Sequence, residues 1–73
     1  MTQTLDVTGL KCPLPILRAK KALAQMESGA VLTVLATDAG APGDFEAFCR
    51  QTGHVLLAST ESSGVFTLVV QRK

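Results

Sequence analysis

The sequence predicts an α+β fold: a two-layer α/β sandwich in which two helices cover one face of a mixed four-stranded sheet. Segments rich in Val, Leu and Thr alternate with two segments of helical periodicity, which gives the order βαβαββ. The chain has 73 residues, a length typical of one small domain, residues 1–73, with a modest core. In so short a chain, both helices are expected on the same face of the sheet.

The first half of the chain predicts a strand, a helix and a second strand. Residues 4–8 alternate between polar and apolar side chains, as in a short strand. A helix is expected from Pro13, because the first helical position tolerates a missing N–H, and Gly29 is expected to end it. The apolar run 30–37 predicts a central strand. The apolar residues that share one face of this helix are Ile16, Ala19, Leu23 and Met26.

The second half predicts another helix and a β-hairpin. Pro42 suits the first turn of this helix, and Gly53 is expected to end it. Residues 54–60 and 65–71 have the composition of strands, and residues 61–64 form a plausible turn between them. The residues expected on one face of this second helix are Phe45, Phe48, Cys49 and Thr52.

Composition excludes several classes of function. The net charge of +1 gives no overall attraction to nucleic acid or anionic lipid. Two cysteines do not make a disulfide scaffold. No apolar run approaches the roughly 18 residues of a membrane span, and no signal peptide is recognisable, so a cytoplasmic location is expected.

The stretch "LKCPLPIL" places Cys12 at the expected start of the first helix, at or close to the N-cap position. Unpaired N–H groups at a helix N-terminus favour a thiolate, which is the nucleophilic form of cysteine. Pro13 and Pro15 would stiffen this turn. The alternative is an inert cysteine that caps the helix by chance, although N-caps are usually Ser, Thr, Asp or Asn. The pattern therefore favours reactive sulfur.

The remaining residues narrow the reaction class. A thiol hydrolase needs a basic histidine, and nothing in the sequence brings His54, the single histidine, to Cys12. Pro15 occupies the position where a Cys-x-x-Cys dithiol would have its second cysteine. Cys12, Cys49 and His54 are fewer than the four ligands of a structural zinc site, so neither a metal nor a cofactor is expected. A lone nucleophilic sulfur suits a carrier that receives sulfur as a persulfide.

The sequence resembles the TusA/SirA-like sulfurtransferases. The segment "GLKCPLPIL" matches their Cys-Pro-x-Pro signature, and the resemblance continues through "RAKKAL", "GDFEAFCRQTGH" and the last two strands, over essentially the whole chain. It implies a βαβαββ fold in which Cys12 carries sulfur as a persulfide. Many members have Asp-Pro after the second strand, whereas this chain has Asp38-Ala39.

The resemblance implies a sulfurtransferase that acts by transient docking, and the chain is expected to be a monomer. The donor would be a cysteine desulfurase or a rhodanese, and the acceptor a protein of tRNA thiolation, molybdenum-cofactor synthesis or sulfur oxidation. Direct nucleic-acid binding is not expected, because the charge is near neutral and the chain lacks Trp and Tyr. A non-catalytic regulatory or RNA-binding module and a thiol redox sensor remain as alternatives.

Basic residues cluster beside Cys12. Lys11, Arg18 and Lys21 are expected to lower the pKa of Cys12 or to attract an acidic partner, although a solvated helix face would show the same pattern. Leu14 is predicted to point away from the core, either as a docking residue or as an ordinary surface leucine.

Three other conspicuous residues have simpler expected roles. Cys49 lies on the apolar face of the second helix and is expected in the core. Asp38 and Asp44 flank the start of that helix, where carboxylates act as caps or interact favourably with the helix dipole. Contact with a partner protein is the alternative role for both.

Overall fold

A computed structural model of the protein describes residues 2–73. It confirms the predicted βαβαββ order. No helix in this range is long and apolar enough to cross a membrane. The elements are β1 (Thr2–Val7), α1 (Leu14–Ala24), β2 (Val31–Ala36), α2 (Ala41–Thr52), β3 (Val55–Ser62) and β4 (Val65–Gln71).

The four strands form one mixed sheet in the order β1-β2-β4-β3. β1 and β2 are parallel, with Thr2 opposite Val31 and Val7 opposite Ala36. β4 is antiparallel to both of its neighbours, β2 and β3. Because β1 and β2 run in the same direction without a stagger, the loops that follow them leave the same edge of the sheet side by side.

Both helices pack on one face of this sheet, as predicted. The side chains of β2 alternate, with Leu32, Val34 and Ala36 buried and the residues between them half-buried. Phe45 of α2 is the largest fully buried side chain, and replacing such a residue with Ala typically costs about 3–5 kcal/mol. The core consists of Val7, Ala19, Leu23, Leu32, Val34, Ala36, Ala41, Phe45, Phe48, Cys49, Leu68 and Val70.

The predicted boundaries of the first helix are wrong at both ends. α1 begins at Leu14, with Pro13 as its N-cap. It ends at Ala24, because the N–H of the following residue, Gln25, turns back to the carbonyl of Ala22 in a tighter turn. Gly29 does have a positive φ of 86°, but it lies in the loop beyond. Its N–H donates to the carbonyl oxygen of Arg72 at 2.9 Å and so joins this loop to the end of β4.

The second half follows the prediction closely. Gly53 ends α2 in the left-handed conformation, and its N–H donates to the carbonyl of Cys49 at 2.9 Å. β3 and β4 form the expected hairpin, although β3 extends to Ser62. Ser63 and Gly64 make the turn, with φ values of 52° and 82°, and two consecutive positive φ angles match the right-handed twist of a two-residue hairpin.

Candidate active site

Cys12 is exposed in the loop between β1 and α1. The start of this loop is fixed by hydrogen bonds to Asp6 of β1 and to Thr37, the residue after β2. The carboxylate of Asp6 accepts the N–H and the hydroxyl of Thr8 at 2.9 and 2.7 Å. Gly9 donates its N–H to the hydroxyl oxygen of Thr37 at 2.8 Å, and its φ of 80° is a conformation that favours glycine. The loop that carries Cys12 is therefore tied to the end of β2.

The turn at Cys12 closes immediately before α1. The N–H of Leu14 donates to the carbonyl oxygen of Lys11 at 2.9 Å, and the Cys12–Pro13 peptide bond inside this turn is cis. Pro13 is the N-cap, so Cys12 lies one position before the N-cap, close to it as predicted. Pro15 is buried in the first turn of α1. It anchors the helix start to the core while Cys12 stays exposed.

Two carboxylates from the neighbouring loop and helix lie beside the Cys12 thiol. Asp38 follows β2, and Asp44 is in the first turn of α2. They flank Gly40 so closely that a Cβ atom there would meet Asp38 Oδ2 at 3.4 Å and Asp44 Oδ2 at 3.6 Å. The Asp44 carboxylate, as hydrogen-bond acceptor for the thiol, raises the pKa of Cys12; loss of hydration and the charges of Asp44 and Asp38 add to the effect.

This arrangement corrects two predictions. The pKa of Cys12 is raised by carboxylates, not lowered by Lys11, Arg18 and Lys21, because those three side chains are exposed to solvent, which screens their charge. Asp38 and Asp44 also make no side-chain cap: the N-cap of α2 is Gly40, without a side-chain hydrogen bond.

A signal for this grouping was present in the sequence. Two strands joined by a helix are commonly parallel neighbours, and the loops that follow such strands meet at one edge of the sheet. Cys12 follows β1 and Asp38 follows β2, so their proximity was predictable. Asp44 required knowledge of where α2 begins.

The outward face of α1 is both basic and apolar. Arg18 and Lys21 are exposed on it, and Leu14 is 43% exposed, as predicted. Leu17 was not singled out from the sequence, yet it is 51% exposed and lies one helical turn from Leu14 and from Lys21. This face begins directly after Cys12.

Cys49 and His54 lie away from the Cys12 loop. Cys49 is in the core, as predicted, and burial raises the pKa of its thiol. The Nδ1 atom of His54 accepts the N–H of Lys73 at 3.1 Å, and its ring lies 5.5 Å from that of Phe48. Within residues 2–73, no group of three or more His, Cys, Asp or Glu side chains could hold a metal ion.

Comparison with known proteins identifies the family. The family model described as "Sulfurtransferase TusA" matches residues 3–72. The chain belongs to the TusA sulfurtransferase family. It is 54% identical over 70 residues to the sulfur carrier protein TusA of Allochromatium vinosum, covering 96% of this chain and 92% of that one.

Other relatives of this TusA-family chain agree. A Neisseria meningitidis protein, provisionally named a sulfur carrier, is 83% identical over 72 residues, covering 99% of this chain and 97% of that one. The crystal structure of a SirA-like protein from Desulfitobacterium hafniense superposes with a TM-score of 0.84 at 31% identity, covering 94% of this chain and 95% of that one.

The loop after β2 differs from the sequence common in the family. Ala39 follows Asp38 where many TusA-like sequences have proline. The turn nevertheless closes, because the N–H of Ala41 donates to the carbonyl oxygen of Asp38 at 3.0 Å. This bond lets α2 start here without the ring constraint of a proline at position 39.

Proposed function

We propose that this protein is a sulfur carrier that holds one sulfane sulfur as a persulfide on Cys12 and relays it between two proteins. The observation that carries the proposal is the setting of Cys12: an exposed free thiol just before α1, in a loop that hydrogen bonds tie to Asp6 of β1 and to Thr37, the residue after β2. The other thiol, Cys49, is buried. Such a site suits exchange with a thiol on another protein. The similarity of the chain to relatives that are named sulfur carrier proteins adds support.

The proposed transfer is balanced and needs no external oxidant. The Cys12 thiolate attacks the terminal sulfur of a donor persulfide, R–S–SH; the donor S–S bond breaks, R–S⁻ leaves, and Cys12–S–SH forms. An acceptor thiolate then attacks the terminal sulfur of Cys12–S–SH, and the Cys12 thiolate leaves. One sulfur atom moves at each step, and the number of S–S bonds is conserved. No side chain other than Cys12 is covalently changed.

Asp44 and Asp38 would control the resting state of this thiol. Because they raise the pKa of Cys12, the free thiol stays mostly protonated near neutral pH and reacts slowly with unintended electrophiles. A raised pKa also makes Cys12 a more reluctant leaving group in the second transfer. A partner that brings a cationic group or hydrogen-bond donors to the two carboxylates would remove both restraints. Reactivity would then depend on docking.

The outward face of α1 is the proposed docking surface for the sulfur donor. It presents Leu14 and Leu17 beside Arg18 and Lys21, and Lys11 lies next to Cys12 in the chain. This combination suits a partner surface with an apolar patch and acidic residues. The proposed donor is a cysteine desulfurase or a rhodanese-type protein. In this scheme the chain carries sulfur, and catalytic turnover requires the donor and acceptor proteins as well.

Mass spectrometry of the intact protein and its peptides tests the proposal. The wild type, Cys12→Ser and Cys49→Ala would each be incubated with a cysteine desulfurase and cysteine. A gain of one sulfur atom on Cys12, lost in Cys12→Ser and retained in Cys49→Ala, is expected. A loaded Cys12→Ser variant, or an unloaded wild type with several donor enzymes, would contradict the proposal. Continued alkylation of Cys12 in the unloaded case would favour a redox sensor instead.

Charge reversal tests the docking surface separately. Arg18→Glu is expected to slow the loading of Cys12 by a donor protein about tenfold, because a rim charge acts mainly on association. Loading by a small inorganic polysulfide should not change, since that reagent needs no docking surface. Arg50→Glu, an exposed substitution on α2, is the matched control. Equal slowing in both variants would exclude a specific role for the α1 face.

The same assay can compare acceptors. The resemblance of the sequence implied use in tRNA thiolation, molybdenum-cofactor synthesis or sulfur oxidation, and one acceptor protein from each process can be offered to the loaded carrier. The acceptor that discharges Cys12 fastest at equal concentration would assign the pathway.

A further inference from the structure

A cavity with a basic rim lies at the end of the molecule opposite Cys12. Its volume is about 210 Å³, and it forms where the C-terminal ends of α1, α2 and β4 meet the start of β3. α1 has 11 residues, so this end lies roughly 16 Å along the helix from the Cys12 turn. The cavity is lined by the basic residues Lys20, His54, Arg72 and Lys73 and by the apolar residues Leu23 and Phe48.

The rim and the floor of this cavity differ in exposure. Leu23 and Phe48 are buried and form an apolar floor, whereas Lys20 and Lys73 are exposed. No acidic side chain lines the cavity. Four basic groups from three parts of the chain therefore converge on one concave surface.

Within residues 2–73, no Asp or Glu side chain lies within 4.0 Å of any of the four basic groups. Within residues 2–73, the single ion pair closer than 4.0 Å joins Arg50 to Glu46, on the exposed side of α2. The main-chain oxygen of Lys73 accepts a hydrogen bond from the hydroxyl of Ser28 at 3.0 Å, and Ser28 does not line the cavity. Positive side chains gathered without an acidic side chain beside them repel one another, and an anion placed among them would relieve that repulsion.

Hydrogen bonds hold two of these groups in place. The Nε atom of Arg72 donates to the carbonyl oxygen of Leu23 at 2.8 Å, which fixes the guanidinium at the end of α1. The Nδ1 atom of His54 accepts the main-chain N–H of Lys73 at 3.1 Å. Neutral His54 therefore carries its proton on Nε2, which remains available as a donor. Both side chains are ordered before any ligand arrives.

The cavity groups also act on one another electrostatically. Burial lowers the pKa of His54, and the positive charges of Lys73 and Arg72 lower it further. At neutral pH the imidazole is consequently a neutral donor among three cations. The other charged side chains of the lining are Lys20 from α1 and Arg72 and Lys73 after β4, and α2 contributes no charged group. His54 is therefore the cavity group whose charge changes between about pH 5 and 8.

We propose that this cavity binds a small tetrahedral oxyanion of the sulfate and phosphate class, either free or as the monoester of a small apolar group. Lysine, arginine and a neutral imidazole N–H are all donors, which an oxyanion can satisfy together. The apolar floor of Leu23 and Phe48 would receive the organic part of a monoester. The site lies apart from Cys12 and goes beyond the proposed sulfur-carrier function, so it can be occupied whether or not Cys12 is loaded.

An NMR titration of the ¹⁵N-labelled protein with sodium sulfate, at constant ionic strength, tests the site. Saturable shifts of amides around His54 and Lys73 are expected. The double variant Lys20→Gln/Lys73→Gln should bind sulfate about fivefold more weakly, because two of the attracting charges are lost. The double variant Lys11→Gln/Lys21→Gln removes the same charge elsewhere and should bind as the wild type does. Linear shifts, or equal weakening in both variants, would overturn the proposal.

The pH dependence of sulfate binding tests the role of His54. Sulfate keeps its charge over this pH range, so its binding should tighten as the pH falls from about 8 to about 5 and His54 becomes cationic. His54→Gln should abolish that dependence and keep binding at the higher pH; an unchanged pH dependence would contradict the assignment of His54.

Phenyl phosphate that binds more tightly than inorganic phosphate would assign a monoester ligand, and equal affinity would assign the free anion.

Discussion

The two cysteines of this chain are the same residue type in opposite surroundings. Cys12 is exposed on a loop beside Asp38 and Asp44, whereas Cys49 is packed into the core on α2. The pKa of each thiol is raised, but for different reasons: the Asp44 carboxylate is the main cause at Cys12, and burial is the cause at Cys49. A raised pKa therefore does not distinguish a working thiol from a structural one. Access and neighbouring charges do.

The largest expected effect of this difference is in alkylation. Under native conditions, iodoacetamide should modify Cys12 about 100-fold faster than Cys49, because Cys49 reacts only when the core opens. Timed quenching and peptide mass spectrometry measure the two rates. In strong denaturant the rates should become similar. Equal rates in the folded protein would show that Cys49 is as accessible as Cys12 and would contradict its burial in the core.

Replacing each cysteine with serine should change the stability of the protein by different amounts. Cys49→Ser places a hydroxyl in an apolar core and is expected to lower the free energy of unfolding by about 1–3 kcal/mol. Cys12→Ser lies at an exposed site and should change it by less than about 0.5 kcal/mol. Equilibrium urea unfolding measures both, with Cys49→Ala as a variant that removes the sulfur without adding a polar group. A silent Cys49→Ser would place Cys49 outside the tightly packed core.

Asp44→Asn should increase the reactivity of Cys12 severalfold. The substitution removes the negative charge that holds the pKa of Cys12 above its ordinary value, so the pKa falls and more thiolate is present at a fixed pH below it. The rate of Cys12 alkylation as a function of pH gives the midpoint directly. Glu46→Gln, on the exposed side of the same helix, is the matched control. A slower reaction in Asp44→Asn would reverse the role given to this carboxylate.

The smallest expected effect is on stability at alkaline pH. The folded state holds the proton of Cys49 to a higher pH than the unfolded chain does, because burial raises its pKa. The stabilisation is therefore complete below the ordinary thiol pKa and is lost as the pH rises through the higher folded value. Urea unfolding should show this decline in the wild type and a shallower one in Cys49→Ala. An identical decline in both would assign it to other groups.

Much of this fold was predictable because its signals are local. The apolar face of α2, its end at Gly53 and the turn before β4 each depend on a few neighbouring residues. The end of α1 was not, because Gly29 looks like a helix stop but its N–H is used by Arg72 from the far end of the chain. Local patterns cannot reveal a partner more than 40 positions away.

The candidate site shows the same division. Cys12 and its prolines were recognisable from one short motif, and the exposure of Leu14 was predicted from helical periodicity. The direction of the pKa shift at Cys12 was not, because it depends on carboxylates that tertiary structure brings from another loop and helix. The sequence shows Lys11 next to Cys12, but adjacency in the chain is a poor measure of electrostatic influence when the side chain extends into solvent.

Transfer of labelled sulfur through Cys12 tests directly whether this protein is a sulfur carrier. The protein would be loaded with ³⁵S from a desulfurase and labelled cysteine, separated from the donor, and mixed with an acceptor protein that has one reactive thiol. We expect the label to leave Cys12 and appear on the acceptor cysteine in equal amount, with none transferred through Cys12→Ser. Label that stays on Cys12, or is released as free sulfide without reaching the acceptor, would contradict a carrier function.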